Sequence, residues 1–430
     1  MSGFLIVYAA SQTYTSTVYE HLYAFQRYSD AECQYINVDE FEKNDVDLVS
    51  FFAIIVHYSV RLPFGQLRNA SIARLKAYEG LKVLFIQDDY NNTGLSKKTI
   101  RNVGFSLVYT AVPSSSIEKI YPREEFEGTK FINCLTGYVS EGLAEQGASC
   151  TGPSKRKVDV AFRGRSLPVW YGKLGQQKIE VARRVQEYCE VRRISCDIQC
   201  NEHSRIYGDD WYKFISSARS MLGSESGSNV FDWNGSLRKE VQQYCRQNPS
   251  SSKQDVYSAV IQKHEIDGLM NQISPRIFEM ASLKTAMVLL EGEYSGVLTP
   301  WVHFIPIKKD FSNLKEVFET VLNDEKVDEM ADRAYKDIIA SGRYSYKSFI
   351  KWFDSELLCS SYYRRAETHN DRPLGQLAAS GVTSVPLRAK PPLPKILSGR
   401  LGFLGKVVIA IWDWLPMGLR PIVKALFGRG

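Results

Sequence analysis

The sequence lacks the signatures of several common classes of protein. It contains neither a GxGxxG fingerprint nor a GxxxxGK[ST] motif, which disfavours the usual dinucleotide and P-loop sites. Its eight cysteines include no CxxC pair. Cys196 and Cys200 lie near His203, but no second cluster completes a zinc tetrad. We therefore expect no metal site, and free thiols in a reducing cytoplasm.

The main part of the chain also lacks an excess of charge. Residues 1–365 carry 45 basic and 45 acidic side chains, whereas residues 366–430 carry nine basic and three acidic ones. A neutral body disfavours a nucleic-acid groove, so we expect no nucleic-acid partner. The stretch "MSGFLIVYAASQTYTS" has no basic segment and too short an apolar run for a signal peptide. We interpret it as a first β-strand.

What the sequence does contain is an alternation of apolar runs and helical spacers. The runs that predict strands are 4–10, 33–38, 49–58, 81–87, 105–112, 131–135, 158–162, 194–199, 219–222 and 285–290. Because these runs are continuous rather than alternating, they indicate parallel sheets with helices on both faces. The fold class predicted is α/β, with two Rossmann-like domains facing a cleft.

Breaks in this pattern predict five segments. The Gly/Pro/Ser-containing stretch 147–157 is typical of a linker between two domains, and residues 366–398 are rich in Pro, Gly and Ser. The predicted segments are an N-terminal domain (1–150), a C-terminal domain (151–345), a closing helix (346–365), a flexible linker (366–398) and an amphipathic tail (399–430).

The tail, 399–430, has the features of an interfacial membrane anchor. Asp413 and Pro416 interrupt its apolar run, whereas a membrane span needs roughly 20 unbroken apolar residues. Trp412, Trp414 and the basic residues favour contact with an anionic membrane surface. This predicts a cytoplasmic protein attached peripherally to the inner face of the membrane. The alternatives are a helix docked on its own domain and a dimer contact.

Two stretches of the second domain predict an anion site. Arg163-Gly164-Arg165 follows the strand 158–162, and two guanidinium groups flanking a glycine can both reach an oxyanion. Lys173 stands just before a predicted helix, whose N-terminus favours anions. The alternative is an exposed pair of surface arginines.

The stretch "ISPRIFEMASLKTAMVLLEGEYSGVL" predicts the opposite lip of the cleft. Ser274 is a favourable N-cap and the helix is predicted to begin at residue 275. Arg276 in the first turn opposes the helix dipole unless an anion lies beside it. The following strand ends in a polar loop. The polar and turn residues of this lip are Ser274, Arg276, Glu279, Glu293, Tyr294, Ser295 and Gly296. The alternatives are a solvated helix residue for Glu279 and an ordinary polar turn for Glu293.

The loop "GSESGSNVFDWNG", residues 223–235, should reach the same edge because it follows a predicted strand. Its small residues let a ligand approach backbone N–H groups, and Glu225 can accept hydrogen bonds from hydroxyls. We interpret it as the wall of a pocket for a polyhydroxyl, phosphate-bearing ligand. An ordinary surface loop is the alternative.

These motifs together resemble a known family. The stretch from "ISPRIFEMASL" to "IPIKKDFSN" is similar to the C-terminal domain of GT-B fold glycosyltransferases, in particular the CgeB-like branch of the glycosyltransferase group 1 superfamily. "VDVAFRGR", "LGSESGSNVFD", "IQDDYN" and "TGYV" also resemble that branch. The resemblance covers roughly residues 80–357.

The resemblance implies a nucleotide-sugar donor held by the C-terminal domain and an acceptor held by the N-terminal domain. Glu279 matches the second glutamate of the Glu-x7-Glu motif, which binds the donor ribose, whereas the first glutamate is replaced by Asn271. Arg163 and Arg165 would then face the pyrophosphate. The start of the helix at 275 and the Tyr294-Ser295-Gly296 turn would assist them.

Transfer from such a donor places negative charge on the leaving nucleoside diphosphate. No DxD motif follows a predicted strand, so arginines and helix dipoles would carry that charge without a metal or other cofactor. Asp88 and Asp89 follow the strand 81–87 and are predicted to face the cleft. In an inverting reaction one of them would be the general base, and in a retaining reaction they would orient the acceptor. Structural loop acids are the alternative.

Three functional hypotheses follow. The first is a glycosyltransferase that acts on a glycan or lipid-linked acceptor in surface polysaccharide synthesis. The second is a non-catalytic nucleotide-sugar or glycan-binding protein, which the replacement at Asn271 favours. The third is a nucleotide-dependent dehydrogenase or epimerase, which the missing glycine fingerprint disfavours.

Overall fold

The computed structural model describes residues 3–13, 15–359 and 382–383. Its first sheet contains six parallel strands in the order β2-β1-β3-β4-β5-β6. Their bounds are Phe4–Tyr8 (β1), Cys33–Asn37 (β2), Ala53–Val56 (β3), Leu81–Ile86 (β4), Leu107–Thr110 (β5) and Lys130–Asn133 (β6). Strands β1 and β3 are buried at every position, as predicted for a sheet covered on both faces.

Helices pack on both faces of this sheet. Alternate residues of each strand enter opposite cores, with Leu5 and Val7 on one side and Phe4 and Ile6 on the other. The helices are Ser16–Tyr28 (α1), Val38–Lys43 (α2), Asn69–Ala77 (α3), Thr93–Val103 (α4), Ser114–Ile120 (α5) and Glu141–Ala148 (α6).

The second sheet has five parallel strands in the order β13-β12-β9-β7-β8. Its strands are Val158–Arg163 (β7), Cys196–Gln199 (β8), Ala218–Gly223 (β9), Ala286–Leu290 (β12) and Ile305–Ile307 (β13). A separate antiparallel pair joins Ser226–Gly227 (β10) to Asn271–Gln272 (β11). A short strand, Val382–Thr383 (β14), pairs antiparallel with β2 at the edge of the first sheet.

Further helices follow β7 along the chain. They are Gly172–Arg192 (α7), Asp209–Ser217 (α8), Leu237–Gln247 (α9), Lys253–Val256 (α10), Pro275–Ser282 (α11), Leu314–Val321 (α12), Asp324–Ala334 (α13) and Tyr346–Cys359 (α14). Helix α14 returns to the first domain, where Phe353 contacts the rings of Phe4 and Phe25. The closing helix predicted from residue 346 therefore packs on α1 and the first sheet.

The predicted fold class, α/β with two Rossmann-like domains, is confirmed by the two parallel sheets. The stretch 237–264, which the sequence pattern left as a polar connection, instead contains α9, α10 and further helical turns to His264. They enclose a small apolar core that includes Val241 and Ile261. No helix among the described residues could span a membrane. The predicted tail, 399–430, lies outside the described residues.

Candidate functional site

Helix α11 begins at the contact between the two domains. Ser274 occupies the N-cap, as predicted, but its side chain makes no capping hydrogen bond. The Thr136 hydroxyl of the first domain donates to the carbonyl of Ile273, 2.6 Å away, just before the helix. The carboxyl ends of β7, β9 and β12 lie at the same edge of the second sheet. The uncapped start of α11 is thus placed where loops from both domains meet.

Two cations converge near this helix start. Lys178, on α7, lies 3.5 Å from the Ser226 hydroxyl, and burial together with the charge of Arg276 lowers its pKa to about 8. Arg276 donates to the Arg163 carbonyl at 2.8 Å, and its guanidinium lies 4.9 Å from the centre of the Trp211 ring. Among the described residues neither cation has a carboxylate within 4.0 Å. Partly buried positive charge without a close counter-ion is suited to binding an anion.

Glu279 borders this cation pair. Its carboxylate accepts from the Trp211 indole N–H at 2.8 Å. Burial raises the pKa of Glu279, while the Trp211 hydrogen bond and Arg276 oppose that rise. The neighbouring Tyr212 lies close to Ser16 of the first domain. Glu279 is therefore at the interdomain contact, and its role with a ribose stays a prediction.

The predicted pair of arginines does not form a clamp. The Arg163 guanidinium donates to the carboxylate of Asp197 at 2.8 Å and to the backbone carbonyls of Phe162 and Asp197. Its charge is thus neutralised within the protein. Arg165 is half exposed, and its closest carboxylate is that of Glu202 at 4.0 Å. The backbone of this stretch, rather than its two side chains, supports the site, because the Arg163 carbonyl orients Arg276. Gly164 continues the pairing with β8, since its N–H donates to the carbonyl of Gln199.

Glu225 is also engaged internally. One carboxylate oxygen accepts from the Tyr294 N–H at 2.9 Å and the other from the Asn271 side-chain amide at 2.6 Å. Both oxygens thus accept from groups of the protein itself, and the hydrogen bonds to ligand hydroxyls stay a prediction. Glu225 and Asn271, which stands in place of the first motif glutamate, are direct partners.

The turn after β12 contributes its backbone more than its side chains. Tyr294 is fully buried, and its hydroxyl donates to the carbonyl of Leu290. Ser295 is exposed, and its hydroxyl accepts from the Ile273 N–H at 3.1 Å. Glu293 is exposed and its carbonyl accepts from the Gly296 N–H. The predicted turn thus lies against the segment that leads into α11.

Lys173, which the sequence predicts to bind the donor, differs in exposure from Lys178 on the same helix, and its role stays a prediction. Lys173 is exposed, and its backbone N–H donates to Glu265. Lys178 lies four residues after Leu174 and three before Val181, both of which are buried. A lysine on the apolar stripe of a helix was the available signal for a functional cation. Trp211 had no comparable signal, because its contact with Glu279 joins two separate helices.

Asp88 and Asp89 have different surroundings. Asp89 is fully buried, and one carboxylate oxygen accepts from the hydroxyls of Thr110 and Tyr121. The prediction that Asp89 faces the cleft is wrong. Its burial raises its pKa to about 6. Asp88 is half exposed, has a φ of 58°, and accepts from the Tyr90 hydroxyl at 2.7 Å. An acidic side chain in left-handed backbone at a strand end is a candidate functional group.

The loop that contains Phe231 crosses from the second domain to the first. We call residues 230–235 the strap. The Asp232 N–H donates to the Tyr90 carbonyl, and the Gly94 N–H donates to the Trp233 carbonyl at 2.8 Å. A Cβ on Gly94 would lie 2.4 Å from that carbonyl oxygen, so only glycine permits the contact. Phe231 is buried in a core of the first domain. The loop 223–235 is therefore an interdomain connection, and its role as the wall of a pocket stays a prediction.

No protein-family model and no curated protein matches the sequence. Among solved structures, HepE from Anabaena with UDP and glucose aligns at TM-score 0.48 and 10% identity, covering 84% of this chain and 100% of that one. Sucrose-phosphate synthase from Thermosynechococcus elongatus aligns at 0.45 and 10%, covering 86% and 100%.

A further solved structure, TarM, aligns at TM-score 0.39 and 13% identity, covering 72% of this chain. This chain spans 55% of the length of TarM. The fold assignment rests on the two sheets of the chain itself.

Among the described residues no group of three His, Cys, Asp or Glu side chains could hold a metal ion.

Proposed function

We propose that this protein transfers a sugar from a nucleotide-sugar donor to an acceptor. The observation that carries the proposal is the pair Lys178 and Arg276 beside the uncapped start of α11, at the contact between two Rossmann-like domains. A diphosphate carries the negative charge that would balance these two cations, and its oxygens would accept hydrogen bonds from them and from the N–H groups at the helix start. The CgeB-like resemblance of the same stretches supports a glycosyltransferase over other users of diphosphates.

The proposed chemistry follows from where charge develops. As the bond between the sugar carbon and the phosphate oxygen breaks, its electron pair remains on the leaving nucleoside diphosphate. Lys178, Arg276 and the N–H groups at the start of α11 stabilise that negative charge. Glu279 and Trp211 are the nearest groups for the nucleoside: the carboxylate accepts ribose hydroxyls and the indole offers an apolar face.

The acceptor is proposed to lie against the first domain. Asp88 follows β4, remains half exposed, and lies 3.4 Å from the Arg61 guanidinium. In an inverting reaction its carboxylate would take the proton of the acceptor hydroxyl as the new glycosidic bond forms. In a retaining reaction it would orient the acceptor. Asp89 has neither role in the described conformation, because its carboxylate is buried.

We further propose a glycan or lipid-linked acceptor in surface polysaccharide synthesis. The basic, Trp-containing segment 399–430 supports this, because an anionic membrane surface would hold the enzyme beside a lipid-linked substrate at the cytoplasmic face. The test is cosedimentation of the full chain with anionic vesicles, compared with a chain that ends at residue 398. Equal binding by the two chains would refute the anchor.

A second candidate is a nucleotide-sugar-binding protein without transferase activity. The replacement of the first motif glutamate by Asn271 favours this candidate. Asn271 has no carboxylate, and it donates a hydrogen bond to the carboxylate of the neighbouring Glu225, which is therefore already engaged. Binding of nucleoside diphosphate without donor hydrolysis or transfer to any acceptor tested would support this candidate.

Binding measurements test the proposed site directly. Thermal-shift screening against UDP, GDP, ADP, CDP and dTDP would identify a base, and calorimetry would then compare Lys178→Gln, Arg276→Gln and Lys173→Gln. We expect either of the first two changes to weaken binding about tenfold, or about 1.4 kcal/mol. Lys173→Gln, an exposed change on the same helix, should stay within about twofold of the wild type. Equal losses from all three would refute the assigned pocket.

A further inference from the structure

A buried carboxylate beside an anion site needs an explanation. Glu225 immediately precedes Ser226, the residue that contacts Lys178, yet it is only 8% exposed and makes no ion pair among the described residues. Its two oxygens are used by the Tyr294 N–H and the Asn271 amide. The carboxylate therefore joins the loop after β9, the strand β11 and the turn after β12.

The packing around this carboxylate is close. A Cβ on Gly292 would lie 2.7 Å from one Glu225 oxygen, so the glycine makes room for the side chain. Tyr294, Ser295 and Gly296 follow with φ values of 47°, 55° and 70°. A left-handed run containing two residues other than glycine persists only where surrounding contacts fix it. The hydrogen bond from Tyr294 to Glu225 is one such contact.

The left-handed turn 294–296 also holds the segment that leads into α11. The Ser295 hydroxyl accepts from the Ile273 N–H, two residues before the helix. Glu225 thus acts at both ends of the segment 271–273: directly at Asn271, and through the turn at Ile273. This segment leads to the N–H groups and to Arg276, which are assigned to the donor phosphates.

A chain of amides extends from Glu225 towards the strap. The Asn229 side-chain amide donates to the side-chain Oδ1 of Asn271 at 2.9 Å, and the Asn229 Oδ1 accepts from the Met270 N–H at 2.9 Å. Met270 is buried in the same core of the first domain as Phe231. The polar chain therefore ends where the strap enters the first domain.

We propose that Glu225 is a positioning residue that shapes the donor site without touching the donor. This proposal rests on the proposed function. Glu225 and Asn271 together set the left-handed turn and the helix start, so that the backbone around the phosphates is formed before the donor arrives. Such preorganisation lowers the cost of binding. If Glu225 instead contacted donor hydroxyls, the affinity for the donor would depend on a carboxylate at position 225 itself.

An exchange of the two side chains separates these roles. In E225Q the new amide faces the Asn271 amide, two donors together, and in N271D two carboxylates face each other. In E225Q/N271D the new glutamine can accept from Tyr294 and donate to the new aspartate, which can also accept from Asn229. The double variant keeps every hydrogen bond while moving the carboxylate from position 225 to position 271.

We expect calorimetry with the nucleoside diphosphate found by screening to show about tenfold weaker binding for E225Q and a larger loss for N271D. The double variant should return to within about threefold of the wild type. In transfer assays the loss should fall on the donor KM, with kcat nearly unchanged. Amide hydrogen exchange of residues 293–297 should rise in both single variants and fall again in the double variant.

Contrary results are distinct. Failure of the exchange to restore affinity, while melting temperature and amide protection recover, would mean that Glu225 contacts the donor and would overturn the positioning role. Unchanged affinity in E225Q would overturn it too. If the wild-type protein binds none of the nucleoside diphosphates screened, the proposed function itself fails, and this inference, which rests on it, fails with it.

Discussion

The carboxyl ends of the two sheets differ in how their polar side chains are satisfied. In the first domain, Asp89 accepts from Thr110 and Tyr121, and a ring nitrogen of His57 lies 3.0 Å from one of His21. These groups are fully or nearly fully buried and pair with one another, apart from the second Asp89 oxygen, which is buried without a hydrogen-bond partner. In the second domain, two partly buried cations at the domain contact have no carboxylate within 4.0 Å among the described residues.

This difference distinguishes polar groups that build a fold from polar groups that await a ligand. Buried polar groups are normally paired within the protein, so a satisfied network needs no functional explanation. Positive charge that burial destabilises, and that has no carboxylate within 4.0 Å among the described residues, does need one. Glu279 offsets the effect of burial on Arg276 only in part. The comparison therefore supports the proposal that the donor binds to the second domain. It leaves Asp88 as the titratable group of the first domain best placed for an acceptor.

The largest expected effect concerns the strap that joins the two domains. Phe231 is 1% exposed in a core of the first domain, so Phe231→Ala should lower the free energy of unfolding by about 3–5 kcal/mol. Calorimetry should show one unfolding transition separating into two, because the domains lose their shared core. Trp233→Ala, at a position 40% exposed in the same strap, is the control and should leave a single transition. A single transition in both variants would show that the strap does not couple the domains.

The next effect tests the cation pair through pH. The pKa of Lys178 is lowered by burial and by Arg276 to about 8, so its charge is lost as the pH rises through that value. Affinity for the nucleoside diphosphate should therefore fall by up to about tenfold between pH 7 and pH 9. Without ligand, the sign is opposite: the free energy of unfolding should rise as the pH goes from about 8 towards 10.5, because the buried charge is removed. Lys178→Arg should bind equally at both pH values, and a wild-type-like profile in that variant would contradict the assignment.

A smaller effect compares the two adjacent aspartates. The pKa of Asp89 is raised to about 6 by burial, so its ionisation destabilises the folded state as the pH rises through that value. Asp89→Asn should therefore gain about 1 kcal/mol relative to the wild type between pH 5 and pH 7.5 in urea unfolding. Its transfer rate should stay within about twofold, whereas Asp88→Asn should lower kcat. Loss of transfer in Asp89→Asn alone, without loss of stability, would return the catalytic role to Asp89.

Much of the fold could be predicted from the sequence because both sheets are buried on two faces. Continuous apolar runs then identify the strands without knowledge of their partners. The Ser274-Pro275 start of α11 follows from local backbone preferences alone. The stretch 147–157 was harder, since its composition is that of a linker. Arg156 anchors it through hydrogen bonds to the carbonyls of Ala218 and Leu283, partners that no local pattern reveals.

The site was less predictable, because its side chains also pair with residues that are distant in the sequence. Arg163 has the residue type of a phosphate ligand, but Asp197 on the neighbouring strand takes its charge. Asp88 and Asp89 are adjacent in sequence, yet one is half exposed and the other buried. Sequence patterns identify which loops reach the sheet edge. The pairing of each side chain depends on elements that meet only after folding.

The smallest expected effect concerns Arg165, which completes the comparison between satisfied and available charge. Arg165 is half exposed with a carboxylate at 4.0 Å, so solvent screens its charge and Arg165→Ala should weaken nucleoside-diphosphate binding by less than about twofold. Arg163→Ala provides the contrast, because it leaves Asp197 without its partner and should lower stability more than affinity. Calorimetry and urea unfolding of both variants would test this. A tenfold loss of affinity for Arg165→Ala with unchanged stability would mean that this side chain swings towards the donor on binding. Exposure in the unbound protein would then be a poor guide to which cations hold the diphosphate.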